Sequence, residues 1–242
     1  KHETARRLAQ RIKIVLDVAK SKGFRDGENP ITAIKDAGVL PKVKVKAKHH
    51  KAMAWQDVPA FYADLKTRNA MAAKALMFTC LTGSRTSEVL QMRWAEVDFE
   101  TRLWTCPPER MKGGEVHRVP LTDEMVAILQ PLQAMQSDYV FEGQKRHKPL
   151  SNMAMLMLLR RMNVEGVTVH GFRSTFRVWA AEVANVPREV AEMSLAHRVG
   201  SEVEQAYQRS DLLEKRRGLM ARWSVFVMGD WAELIAVEAL ER

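Results

Sequence analysis

The chain has 242 residues, 46% hydrophobic and 28% charged, with a formal net charge of +9. That composition is globular, and with no apolar run of about 18 residues it excludes a membrane-spanning segment. Two cysteines, Cys80 and Cys106, are too few for a disulfide framework or a four-cysteine metal site and suit a reducing cytoplasm.

The charge is unevenly placed. Residues 1–51 hold 14 Lys/Arg against 5 Asp/Glu, while residues 52–242 hold 24 of each, so the whole excess lies in the first fifth of the chain. A basic segment on a balanced body fits a polyanionic partner or a solvated tail. The chain opens Lys-His-Glu-Thr, with no initiator Met and no apolar leader, and reads as a fragment of a longer protein.

Glu3 to Lys20 is a predicted helix, with Leu8, Ile12, Val15, Leu16 and Ala19 at helical spacing and Arg6, Arg7 and Arg11 between them. Gly23 and Gly27 end it, and Asn29-Pro30 starts a new turn. From Pro41 onward Lys42, Lys44, Lys46 and Lys48 alternate, followed by His49, His50 and Lys51. Alternation puts those lysines on one side of an extended chain, where they could follow a phosphate backbone; the plainer reading is a charged linker. The expected boundaries are a basic helical segment plus linker over 1–51, one large domain over 52–225, and a terminal amphipathic helix over 226–242.

Within the large domain, Val58–Lys66 and Asn69–Leu81 read as helices. Ser84 is the expected N-cap of a third, running to about Trp94. Short β-like pieces follow at Glu96–Asp98, Leu103–Cys106 and Val116–Leu121, with turns at Thr101-Arg102 and at Met111 to Gly114. Asp123 and Glu124 open a helix, and Ser151 is the expected cap of another to about Met162. His170–Ala184, Pro187–Leu195 and Ser201–Arg209 complete the helices, and the pattern from Asp211 to Arg242 is helical. The fold class is therefore mainly α with a small antiparallel β-sheet.

Several residues in this frame suit attack on a phosphodiester. Arginine is always charged and bidentate toward phosphate oxygens. Arg85 and Arg173 are the candidate clamp, although a surface salt bridge is the ordinary role of either alone. Glu88, three residues after Arg85, could orient it or be a plain helix residue. Lys112, in a turn with Gly113 and Gly114, could protonate the departing sugar oxygen or simply be solvated. His170 and His197 could donate to phosphate or move a proton, as imidazoles in general can near neutral pH. Zinc would need further ligands, for which only His117 is near, so no metal is expected. Tyr207 is the candidate nucleophile, activated by nearby cations and by a base such as His170. Taken alone, a helical Tyr is usually half-buried core.

The ordered set Thr82-Gly83-Ser84-Arg85-Thr86-Ser87-Glu88, Lys112, His170-Gly171-Phe172-Arg173, Leu195-Ala196-His197 and Ala206-Tyr207-Gln208-Arg209 resembles the tyrosine recombinases of the phage integrase family. His117-Arg118-Val119-Pro120-Leu121 points to the prophage and genomic-island branch, where the common Leu-Gly-His is often Leu-Ala-His. The resemblance covers about residues 52–225, and residues 1–40 look like the last helices of the family's core-binding domain. It implies the DNA breaking-rejoining enzyme fold and a site-specific recombinase. Arg85, Lys112, His170, Arg173 and His197 would serve catalysis, with Glu88 in support. Tyr207 would form a 3′-phosphotyrosyl link that a 5′-hydroxyl later resolves, without cofactor or metal. It further implies a homo-tetramer on double-stranded attachment sites, exchange of C-terminal segments after about Asp211, DNA-bending and excision accessory proteins, and a bacterial cytoplasmic setting at the nucleoid. Same-chemistry and binding-only alternatives are a type IB topoisomerase-like nicking enzyme and an inactive DNA-binding relative.

Overall fold

The computed structural model describes residues 2–39, 51–200 and 210–230. The chain divides into two compact units, Lys1–His49 and His50–Arg242.

In the first unit, α1 (His2–Ser21) packs with α2 (Pro30–Asp36). Pro30 supplies a fixed φ at the first helical position and Asn29 caps it. The Asn29 side chain accepts the Ile31 N–H at 3.0 Å and donates to the Lys13 carbonyl at 2.9 Å and the Asp17 carboxylate at 2.6 Å. One side chain therefore both starts α2 and ties it to α1. Asn29 is buried, whereas Leu8, Ile12, Val15, Arg6, Arg7 and Arg11 are all exposed. Lys42, Lys44, Lys46 and Lys48 lie outside the described residues.

The second unit is built around α4 (Met71–Thr82), whose residues from Ala75 to Thr82 are all buried. A helix apolar all round belongs at a domain centre. Around it stand α3 (Val58–Lys66), α5 (Thr86–Leu90), α6 (Asp123–Leu129), α7 (Ala154–Arg161), α8 (Gly171–Glu182), α9 (Arg188–Ser194) and α10 (Leu213–Met228). Strands β1 (Val97–Asp98), β2 (Leu103–Cys106) and β3 (His117–Pro120) form one antiparallel sheet in that order, with Val97 opposite Trp104 and Cys106 opposite His117. Arg102, at φ 53°, makes the left-handed step of the β1–β2 turn.

Three expectations are corrected. Ser84 does not cap α5: it is buried, and its hydroxyl accepts no N–H among the described residues. The helix starts one residue later, with Glu88 accepting the Arg85 N–H at 2.8 Å, and ends at Leu90. Ser151 holds a turn ahead of α7, its hydroxyl accepting the Met153 N–H at 3.3 Å, and the helix itself begins at Ala154. The expected boundary at 225 falls inside α10, where Phe226 and Val227 are buried and the helix runs on to the left-handed Gly229.

That last turn of α10 completes an aromatic cluster. Trp223 lies 4.9 Å from Trp179, 5.5 Å from Phe176 and 5.6 Å from Phe226, centroid to centroid. Its indole N–H donates to the Cys80 carbonyl at 2.9 Å, so the largest apolar anchor of α10 also has its one polar atom satisfied.

Candidate active site

The site is organised by two helix ends. Helix α4 stops at Gly83, whose φ of 61° is the left-handed conformation that releases the chain. Helix α9 stops in the same way one residue past its cap. The His197 N–H returns to the Glu192 carbonyl at 3.0 Å and the Ala196 N–H to the Met193 carbonyl at 3.1 Å, a Schellman closure with Ala196 at φ 51°. Glycine is the usual residue at such a position, which gives a physical reason for the Leu-Gly-His wording common elsewhere and makes Ala196 a strained substitute.

These ends present carbonyls to two arginines. Arg173, 3% exposed, donates Nη1 to the Gly83 carbonyl at 2.5 Å and Nη2 to the Leu195 carbonyl at 2.6 Å. Arg85 donates Nη2 to the Ala196 carbonyl at 3.3 Å and Nη1 to Glu88 at 2.7 Å. Glu88 is 2% exposed, so its carboxylate is buried against its arginine. Burial and the nearby Arg85 pull the Arg173 guanidinium down to about 10, which leaves it charged at neutral pH. Two cations are thus fixed side by side by protein dipoles before any anion arrives.

His197 joins them. Its Nε2 lies 2.9 Å from Arg173 Nη2 and its Nδ1 lies 2.7 Å from Glu192. With Nδ1–H donating to the carboxylate, Nε2 is the acceptor facing the guanidinium. Glu192 also accepts from Arg177 at 2.8 Å. Burial alone would raise its carboxyl, but the hydrogen bonds from Arg177 and His197 hold it below the ordinary value.

Lys112 is exposed in the turn before β3. Arg198 ties that turn to the α9 end, donating to the Gly113 carbonyl at 3.2 Å and the Glu115 carboxylate at 2.8 Å. A cleft of about 370 Å³ lies between them, lined by Glu115, His117, His197, Val199, Asp211 and Arg216 among others. His117 forms part of its wall and is 8% exposed; burial, then Arg216 and Arg173, drive its pKa down to about 3.

His170 holds the N-cap position of α8, just before the first helical residue, and is exposed, while Arg173 is buried one turn on. Gly171 admits the backbone of the preceding segment: a Cβ there would sit 2.3 Å from the Lys51 carbonyl. That carbonyl accepts the Thr168 N–H at 3.0 Å, which places Lys51 beside the His170 turn. Tyr207 lies outside the described residues, but Val199 before it and Asp211 after it both line the cleft.

The structure therefore brings Arg85, Glu88, Arg173 and His197 into one network, with the Lys112 turn tied to it through Arg198. Glu192, His117 and Arg198 were not picked out as site residues by sequence reasoning. Glu192 carries a signal only in hindsight, since a Schellman turn sets residue 192 against residue 197. Among the described residues no three His, Cys, Asp or Glu side chains gather as a metal site would require.

Residues 51–213 match the phage integrase family. The chain belongs to that family. It is 33% identical over 231 residues to prophage integrase IntA of Escherichia coli K12, covering 93% of this chain and 54% of the relative. To the integrase of Shigella phage Sf6 it is 33% identical over 186 residues, covering 73% of this chain and 46% of the relative. The chain thus spans about half the length of these relatives. Among solved structures, a lambda integrase dimer bound to a COC′ core site superposes with TM-score 0.58 at 18% identity, over 82% of this chain and 73% of that one. The integrase from mycobacterium phage Brujita gives 0.56 at 18%, over 98% and 77%. These likenesses establish the fold as that of these integrases, mainly helical with a small antiparallel sheet.

Proposed function

We propose that this chain is the DNA-cutting and rejoining part of a site-specific recombinase of the prophage integrase branch. The observation that carries this reading is the fixed pair Arg85 and Arg173, joined to His197 at the α9 end and tied through Arg198 to the Lys112 turn. Paired guanidiniums on a rigid frame are what a phosphodiester needs as charge grows on its oxygens.

In this reading a non-bridging oxygen inserts between Arg173 Nη2 and His197 Nε2, the outermost link of the network, and Nε2 takes up a proton to donate to it. Arg85 meets the same phosphate, with Glu88 holding its guanidinium in plane. The Tyr207 phenolic oxygen attacks phosphorus as its proton passes to His170. The P–O5′ bond breaks, and Lys112 protonates the departing oxygen. A 3′-phosphotyrosyl ester results, and a 5′-hydroxyl from a partner strand reverses the step, releasing the phenol. The ester keeps the bond energy, so no cofactor is consumed.

The substrate is double-stranded DNA at attachment sites, for integration or excision of a prophage or genomic island. Lys51, the neighbouring linker lysines and Arg6, Arg7 and Arg11 add phosphate contacts of the sequence-independent kind. Residues 1–51 are read as the end of a core-binding domain plus its linker, and the working form as a homo-tetramer that exchanges C-terminal segments, assisted by DNA-bending and excision proteins. A lambda integrase tetramer bound to a Holliday junction, similar in fold at TM-score 0.55, supports that assembly by analogy. The setting is a bacterial cytoplasm, at the nucleoid.

The test is a nicked suicide duplex. Wild type is expected to trap a covalent adduct and Tyr207→Phe to bind DNA without trapping one. DNA binding without any adduct from wild type would reduce the chain to a binding module, and relaxation of supercoils without strand exchange would make it a nicking enzyme.

A further inference from the structure

Asp211 follows Tyr207 by four positions and sits in an ion cluster that the proposed chemistry does not use. Its carboxylate accepts both Nε and Nη2 of Arg118, at 3.0 and 2.8 Å, and lies 3.5 Å from Arg216 Nη1. The same Nη1 donates to the Asp211 backbone carbonyl at 3.1 Å, and Arg216 Nη2 donates to the Arg118 carbonyl. Arg118 is on β3 and Arg216 on α10, so two elements grip one residue by both side chain and backbone.

Stability does not explain this arrangement. The Arg216 side chain is 2% exposed. Burial pulls its guanidinium down to about 10 even with Asp211 opposing that shift. Arg118 and Asp211 are 43% and 36% exposed, so their ion pair is a surface one worth little, while taking the Arg216 charge out of water costs desolvation. What the cluster supplies is a place. It fixes the backbone of residue 211 to the strand that leaves the Lys112 turn, on the wall of the cleft that also contains His197. Four residues span at most about 14 Å, so the Cα of Tyr207 stays within that radius of the fixed point.

We infer that Arg118, Asp211 and Arg216 are positioning residues for the nucleophile: the clamp sets the point from which Tyr207 reaches the phosphate. This rests on Tyr207 being the nucleophile, as proposed above. In this reading the three act through the chain that bears the phenol.

The test uses the full chain in single-turnover cleavage of a nicked suicide duplex, with Arg216→Met, Asp211→Asn and the double variant. The scissile bond is either ordinary or a 5′-phosphorothiolate, whose leaving sulfur needs no proton. Arg216→Met keeps the side-chain volume but removes the donor to the Asp211 and Arg118 carbonyls, so the melting temperature of each variant is measured and rates are read well below it. Adduct formation is expected to fall by about 10²-fold in the double variant, with DNA affinity within about twofold, because a small misplacement of a nucleophile is enough for such a loss. The loss should persist on the phosphorothiolate, whereas Lys112→Ala should be rescued by it. Asp211→Glu, which keeps the charge, should recover part of the rate. Wild-type rates in all three variants would overturn the inference while leaving the proposed function intact. So would rescue of the variants by the sulfur leaving group, or a loss that only tracks falling stability or affinity. Absence of adduct from wild type itself would instead overturn the reading of Tyr207.

Discussion

The arginines of the two units are held in opposite ways. In residues 50–242, Arg85, Arg173 and Arg216 are buried or half-buried and held by fixed carbonyls or carboxylates, with His197 also against Arg173. In residues 1–49, Arg6, Arg7 and Arg11 lie exposed along a two-helix unit in which Asn29 is a buried polar anchor. The first arrangement accepts a desolvation cost to fix charge in one geometry; the second leaves charge solvated and adaptable. Fixed charge suits a transition state, and solvated charge suits a long polyanion. The two sets should therefore respond differently to the same kind of substitution.

The sharpest break comes from Arg173→Lys. A point charge cannot serve two carbonyls, His197 and a phosphate at once, so adduct formation should drop by about 10²–10³-fold. DNA affinity, read by fluorescence anisotropy, should hardly move. Equal losses in both would make Arg173 an affinity residue like those of the first unit.

His117 tests the buried side of the comparison by pH. Its folded pKa of about 3 lies below the ordinary value near 6.5, so as pH falls through that window the unfolded state takes up a proton that the folded state refuses. Stability is fully present above the upper value and is lost on acidification, by about 1.4 kcal/mol per unit of pH across the gap at most. His117→Gln should flatten this acid limb in urea titrations from pH 7 to 4. An unchanged limb would mean that another group carries it.

A smaller effect is expected at the α9 end. Ala196→Gly removes a left-handed alanine at φ 51° and should raise stability by about 0.5–1 kcal/mol, read as a Tm higher by about 2–4 °C. Gly83→Ala should act in reverse. It has φ 61°, which strains any L side chain, and its Cβ would lie 2.9 Å from Leu195 Cδ2, so the Leu195 side chain must shift as well.

The smallest change per residue belongs to the first unit. Each of Arg6→Gln, Arg7→Gln and Arg11→Gln should reduce the slope of log affinity against log salt by about one, and leave the cleavage rate of bound DNA unchanged. A fall in cleavage at saturating DNA would erase the distinction between the two sets.

What the sequence disclosed follows the same division. The helix at residues 3–20, the strand at 103–106 and the order of Arg85, Lys112, His170, Arg173, His197 and Tyr207 are local patterns, and local patterns are what a chain displays. Ser84 has the residue type of a cap for α5, yet its buried hydroxyl accepts no N–H among the described residues and Glu88 satisfies the Arg85 N–H from within the helix. Ser151 failed for a related reason, since its hydroxyl serves a turn ahead of the helix. The partners of the site were hidden more deeply. Glu192 meets His197 only because the chain turns left-handed at Ala196, and Asp211 meets Arg118 across 93 residues of sequence. Such contacts exist only after the fold does.

Recovery of the trapped adduct, digested and mapped on both protein and DNA, tests the central claim most directly. The expected product is one peptide containing Tyr207 esterified to a 3′-phosphate, formed by wild type and absent from Tyr207→Phe. An adduct on another residue, or wild type that binds the duplex and leaves every phosphodiester whole, would contradict the account.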